Sequence, residues 1–273
     1  MVDIMKKIEV IEDINNPKLD WFMKESETFL KTVNEPDLGY FLAESPNVIS
    51  RALDGGYMPY ACLVEDREEY PDFLNHEAFE DVPVYAAKYD ILSRLRGFEM
   101  TRGAICIMKR KKCTAIEDVL NNAHKIAILE EVMNPTNLGA VFRSAAALGI
   151  DGIFLSKGCA DPLFKRSCRV SMGTVFQIPW TYVDSVVDLI DHLHDKEYKV
   201  MALALDERAV SLSDECLKQS KNTALVLGTE AFGLHEKTVN ACDYTVMIPM
   251  MNGVDSLNVA AAGAVAFWEL CKK

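Results

Sequence analysis

From Lys125 onward the chain alternates two hydrophobic patterns, and that alternation restricts its fold more than any other feature. Apolar runs of strand length begin at Ile126 (IAILEEV), Gly152 (GIFLS), Tyr198 (YKVMALAL), Thr223 (TALVLG) and Tyr244 (YTVMIP). Between them lie helical stretches, NLGAVFRSAAALGI from Asn137 and VDSVVDLIDHLHD from Val183, the former with Val141, Ala145 and Leu148 on one face. Short apolar strands separated by amphipathic helices predict a mostly parallel sheet with helices on both faces. Ligands of such sheets bind at the carboxyl ends of the strands.

The preceding part of the chain has a smaller cycle of its own. GYFLAE from Gly39, YACLVED from Tyr60, PVYAA from Pro83 and RGAICIMK from Arg102 read as strands, and PNVISRALDGG from Pro46 and YDILSRL from Tyr89 as helices. A single helix over WFMKESETFLKTV, from Trp21, is expected ahead of them. The basic stretch KRKKCTAIEDVLNNAHK makes a junction, so two α/β domains are expected, 1–115 and 116–273.

Charges run through the first residues, so that segment is neither a signal peptide nor a membrane anchor. Eight cysteines without any Cys-x-x-Cys spacing fit reduced thiols in a cytoplasmic chain. His192 and His194 are two apart and point to different faces of a helix, so no metal site is expected. A net charge of −12 argues against a protein that coats nucleic acid. The charge is uneven, however. Glu65 to Asp81 carries eight acids against one arginine, while Lys109 to Lys112 and the segment with Lys157, Lys165, Arg166 and Arg169 are basic, which permits a local, specific nucleic-acid contact.

Three strand ends hold the candidate chemistry. TALVLG runs into TEAFGLHE, a tight polar turn with Gly228, Glu230 and Gly233; Leu234-His235 stands where a P-loop requires Lys-Ser/Thr, so a P-loop is excluded. No Gly-x-Gly-x-x-Gly follows the first strand, which disfavours a dinucleotide enzyme. The other two ends present Asn137 with Arg143, and the polar group Asp255, Ser256 and Asn258 opening an alanine-rich helix. A guanidinium near a strand-end crevice suits a phosphate or a developing oxyanion. Each residue also has a plainer reading: Asn137 and Ser256 as helix N-caps, Glu230 as an acceptor within its turn, and Arg143 as a partner of some carboxylate.

NPTNLGAVFRSAAALGIDGIFL, LVLGTEAFGL and MIPMMNGVDSLNVAAAGAVAFWEL resemble, in order and spacing, the three signature motifs of the SpoU/TrmH family of S-adenosylmethionine-dependent RNA 2′-O-ribose methyltransferases. The resemblance runs from about Ile126 to the end of the chain. It implies a C-terminal strand and helix threaded through a loop as a deep trefoil knot, an exception to the rule against threading. It implies that backbone groups at Gly228, Ile248 and Leu257 hold S-adenosylmethionine, flanked by Thr229, Gly233, Pro249 and Met250. It implies catalytic roles for Arg143, Asn258, Ser256, Glu230 and Asn137, a homodimer, and RNA as partner. Thr229, Ala231 and Ala260 stand where serine, glycine and serine are common. The first domain resembles, more weakly, the ribosomal-protein-L30e-like substrate-binding domain of many members, with Ser45 in place of a usual glycine; this favours ribosomal over transfer RNA. Alternatives are a transfer-RNA enzyme, a catalytically silent RNA-binding protein of the same fold, and a non-RNA enzyme with a nucleotide cofactor.

Overall fold

The structure, a computed structural model, describes residues 8–23, 26–35, 37–93, 103–206, 208–218, 220–229 and 233–271. Packing divides the chain into two units, Met1–Lys112 with Leu163–Phe176, and Cys113–Pro162 with Gln177–Lys273. The units are not contiguous in sequence: Leu163–Phe176 lies beyond the junction expected near residue 115 yet packs with the first unit. There Arg51 Nη1 donates to Met172 O at 2.6 Å, and Gly173 backs onto the Arg51 side chain so closely that a Cβ would sit 3.2 Å from it.

The first unit has a mixed sheet of β1 (Ile8–Val10), β2 (Tyr40–Glu44), β3 (Pro59–Glu65), β4 (Val84–Ala87) and β5 (Ala104–Lys109), in the order β1-β4-β3-β5-β2. β1, β3 and β4 run parallel, and β5 is antiparallel to both β3 and β2. The single helix expected from Trp21 is instead two, α1 (Asp20–Met23) and α2 (Glu27–Thr32). Ser26 is the reason: its hydroxyl accepts from Phe29 N at 3.1 Å and starts a new helix. α3 (Pro46–Asp54) follows β2, and α4 (Tyr89–Leu92) covers the start of YDILSRL, whose end lies outside the described residues. Leu30, Leu42, Leu63, Ile105 and Ile107 form the core of this unit.

In the second unit the parallel sheet is built from β6 (Lys125–Leu129), β7 (Gly152–Ser156), β8 (Trp180–Val183), β9 (Lys199–Leu203), β10 (Val210–Ser211), β11 (Thr223–Leu227) and β12 (Tyr244–Met247). Their order is β10-β12-β9-β11-β6-β7-β8, and every pairing is parallel. Chain connections supply α5 (Ile116–Leu120), α6 (Pro135–Leu148), α8 (Val186–Asp195), α9 (Glu236–Ala241) and α10 (Val259–Cys271); α7 (Lys165–Val170) belongs to the segment that joins the first unit. β6, β9 and β11 are buried through most of their length, as strands covered on both faces must be. No described helix is long and apolar enough to cross a membrane.

Both expected helix caps are displaced. α6 is capped by Asn134, not Asn137: the Asn134 side chain accepts from Thr136 N at 2.8 Å, Pro135 occupies the first helical position, and Gly149 closes the helix at φ +87°. At α10, Asn258 caps in place of Ser256, its Oδ1 accepting from Ala260 N at 3.0 Å. α10 packs on α6 and buries Val259, Gly263, Ala266 and Phe267. A Cβ on Gly263 would lie 3.2 Å from the Leu227 side chain, so the small residue brings this helix close to the end of β11.

Candidate functional site

A cavity of about 410 Å³ opens at the carboxyl ends of β9, β11 and β12. Its position follows from the strand order, which sets β9 between β12 and β11, so the chain leaving all three strands converges. Leu203, Ala204, Leu205 and Asp206 enter from β9. From β11 come Leu227, Gly228 and Thr229, with Gly233 and Leu234 beyond. β12 and the loop after it give Val246, Met247, Ile248 and Met250, and the approach to α10 gives Asp255, Ser256, Leu257 and Val259.

Gly228 is the tightest point of this wall. A Cβ there would sit 2.5 Å from Gly233 O and 2.8 Å from Leu234 N, so no other residue fits without opening the turn. Gly233 returns at φ +69° and donates its N–H to Thr229 O at 2.9 Å. Glu230, Ala231 and Phe232 lie outside the described residues. The far side of the turn is anchored by Glu130, a buried carboxylate just past β6. It accepts from His235 N at 2.9 Å and from Thr238 Oγ1 at 2.6 Å.

The expected site residues divide into two groups. Gly228, Thr229, Gly233, Ile248, Met250, Ser256 and Leu257 come together in the cavity wall. Pro249, Asn137, Arg143 and Asn258 are not part of it. Asn258 Nδ2 donates to Asn137 Oδ1 at 3.2 Å, a bond that ties the start of α10 to the start of α6. Arg143 is exposed on α6 and has no hydrogen bond or ion pair among the described residues, so the plainer reading of it as half of a salt bridge finds no partner there.

Two charged residues of the cavity wall have no role assigned from the sequence. Asp206 lies three residues past the end of β9, and its carboxylate is gripped by Arg208, which donates from Nε to Oδ1 at 3.0 Å and from Nη2 to Oδ2 at 2.8 Å. The guanidinium, helped by the Arg208 backbone N–H, holds the carboxyl at a pKa of about 2. Asp255 stands beside Ser256, exposed. No local signal marks Asp206, whose place in the cavity depends on the strand order; Asp255 is visible in its polar group but has no periodicity or spacing to assign it a task.

The basic islands are partly engaged within their own units. Lys111 donates to Gly55 O and lies 4.5 Å from the centroid of the Tyr57 ring, and Arg110 Nε donates to Tyr40 O at 3.1 Å. Arg169 Nη1 stands 3.9 Å from the buried Glu44 carboxylate, and Lys157 pairs with Asp184. His192 and His194 pair with different acids, Glu117 at 2.8 Å and Asp243 at 3.0 Å.

Residues 124–268 match the model of the SpoU rRNA Methylase family. Over 225 residues the chain is 34% identical to an uncharacterized tRNA/rRNA methyltransferase of Mycobacterium bovis, covering 81% of this chain and 77% of that one. It is 27% identical over 226 residues to the 23S rRNA (guanosine(2553)-2′-O)-methyltransferase RlmP of Bacillus subtilis, covering 82% and 85%. The fold matches that of an AdoMet-bound rRNA methyltransferase from Sinorhizobium meliloti with a TM-score of 0.78 at 21% identity, over 97% of each chain.

Proposed function

The chain belongs to the SpoU rRNA methylase family, and from that premise we propose that it transfers a methyl group from S-adenosylmethionine to a ribose 2′-hydroxyl of structured RNA, ribosomal RNA in preference to transfer RNA. The observation that carries this reading is the cavity wall, where Gly228 and Thr229, Ile248 and Met250, and Ser256 and Leu257 meet from three separate stretches of chain. The fit is good. About 410 Å³ lies in the usual range for a small-molecule pocket, roughly 300–1,000 Å³, and apolar side chains make most of the wall.

Backbone groups of Gly228, Ile248 and Leu257 hold the donor, and Thr229, Gly233, Pro249 and Met250 flank it. Bound there, the donor supplies an activated methyl: a carbon–oxygen bond forms as the carbon–sulfur bond breaks, the electron pair stays on sulfur, and the hydroxyl proton leaves to solvent. What remains for the protein is alignment of the acceptor and stabilisation of its developing negative charge. Arg143 does the latter and grips the neighbouring phosphate, because a guanidinium keeps its proton and offers a fork of donors. Ser256 and Asn258 orient the ribose, with Asn137 fixing the Asn258 amide and Glu230 shaping its turn.

The working protein is a cytoplasmic homodimer with RNA spanning both subunits. Val265 and Trp268, exposed on α10 at 43% and 59%, are apolar surface that such a dimer would cover. β12 and α10 form the threaded part of a trefoil knot. The first unit serves as the L30e-like RNA-binding domain, and the relative RlmP, named for its action on 23S rRNA, supports a ribosomal target.

The test is an Arg143→Ala protein, followed by calorimetry with S-adenosylmethionine and by methyl transfer to RNA. Donor binding persists and transfer is lost; normal turnover would sink the assignment. Mapping 2′-O-methyl sites in total RNA with and without the gene identifies the target nucleotide.

A further inference from the structure

Among the described residues of the cavity wall, Asp206 and Asp255 are the charged side chains, and no lysine or arginine lines it. The two carboxylates are in different situations. Asp206 is paired by the fork of Arg208. Asp255 has no hydrogen bond or ion pair among the described residues and stands next to Ser256 and Leu257 in the wall. A carboxylate without a partner, in a wall that has no cationic side chain among its described residues, lowers the energy of a cation held there. It does nothing for a neutral ligand of the same shape.

The methyl donor and its spent form differ by that one charge. Methyl transfer breaks the carbon–sulfur bond and leaves its electron pair on sulfur, so a cationic sulfonium becomes a neutral thioether. The methyl carbon is then bonded to the acceptor oxygen, whose proton has gone to water. We infer that Asp255, with Asp206 as the second carboxylate of the same wall, is a specificity-determining residue that reads this charge, holding the methyl-loaded cation in preference to the demethylated thioether. The inference rests on the proposed reading of the cavity as the donor site. It goes further by giving the site a means of turnover: the attraction directed at the sulfonium disappears with the methyl group, and among the described residues of the wall no cationic side chain compensates for it.

The experiment is titration calorimetry on the full chain with S-adenosylmethionine and with S-adenosylhomocysteine, for the wild type and Asp255→Asn. The amide keeps the size of the side chain and sits in an exposed loop, so the fold is not at risk. The expected result is a loss of about fivefold in affinity for S-adenosylmethionine, with S-adenosylhomocysteine moving by less than about twofold. High salt should shrink the wild-type ratio in the same direction, because Asp255 is exposed to screening. Equal losses for both ligands, or an unchanged ratio, overturn the inference and leave the donor site standing. A wild-type protein that binds neither ligand overturns both.

Discussion

The two ends of the seven-stranded sheet carry hollows of similar size, about 410 Å³ at the carboxyl end and about 450 Å³ at the amino end, yet they are built differently. At the amino end polar groups answer one another. The Tyr198 hydroxyl donates to Ala123 O at 2.6 Å, His124 Nδ1 meets Asn222 Oδ1 at 2.9 Å, and Asp151 Oδ2 accepts from both His124 N and Lys125 N at 2.8 Å. At the carboxyl end Asp255 and Ser256 face the cavity with no partner among the described residues. The difference teaches where function is placed in a parallel sheet. Polar groups that hold one another stabilise the fold, and polar groups left open are available to a ligand.

Substitutions at the two ends should therefore separate binding from stability. The largest effect is expected at Gly228→Ala, whose new Cβ meets the Gly233–Leu234 backbone and must open the turn. Affinity for S-adenosylmethionine should fall about a hundredfold, equivalent to about 2.8 kcal/mol. Calorimetry checks the affinity and circular dichroism checks that the fold persists; unchanged binding would break the assignment of this wall to the donor. At the opposite end Asp151→Ala removes the acceptor of two backbone N–H groups and should cost about 1.5 kcal/mol of stability, with donor affinity unchanged.

A smaller loss is expected at Tyr198→Phe, which removes one hydrogen bond from a side chain that is 4% exposed, about 1 kcal/mol in urea unfolding. Burial, and secondarily the nearby Asp151, raises the Tyr198 phenol above its ordinary value. Its contribution is thus complete below the unfolded phenol pKa of about 10 and is lost as pH rises through the raised folded value. The Tyr198→Phe protein should accordingly lose less stability than the wild type between neutral and strongly alkaline pH. If either amino-end variant weakens donor binding, the separation of the two ends fails.

What could be read in the sequence was set by whether a signal is local. β6, β7, β9, β11 and β12 are continuous apolar runs, and a run is visible without its neighbours. β8 and β10 were missed, the first because Trp180 and Tyr182 are only half-buried and break the apolar run, the second because two residues make no pattern. The strand order, which sets β9 between β12 and β11, is a long-range fact, and so Asp206 was invisible as a cavity residue although its strand was found. Gly228 was legible because its motif carries the chemistry locally. The helix caps failed by two or three residues because several cap-competent side chains stand close together. Pro135 marks Asn134 as the true cap, whereas Ser256 and Asn258 are separated only by which one faces Ala260 N.

The smallest effect extends the comparison to a strand end in the first unit. Ser45 follows β2 with φ +91° and ψ 147°, a conformation almost confined to glycine. It is 3% exposed, its Oγ has no hydrogen-bond partner, and it makes no cap to α3, so the serine side chain earns nothing visible for the strain. Gly228 is the reverse case, a strand end where glycine is present and required by its neighbours. Ser45→Gly removes strain of at least about 1 kcal/mol and adds about 0.5 kcal/mol of unfolded-chain entropy, for a net gain of about 0.5 kcal/mol. Thermal or urea unfolding of the full chain should thus show a small increase in stability, with donor affinity unaltered because Ser45 is not part of the donor cavity. A loss of stability would mean that the buried hydroxyl contributes more than its backbone costs. A loss of RNA affinity at unchanged stability would make Ser45 a contact to the nucleic acid.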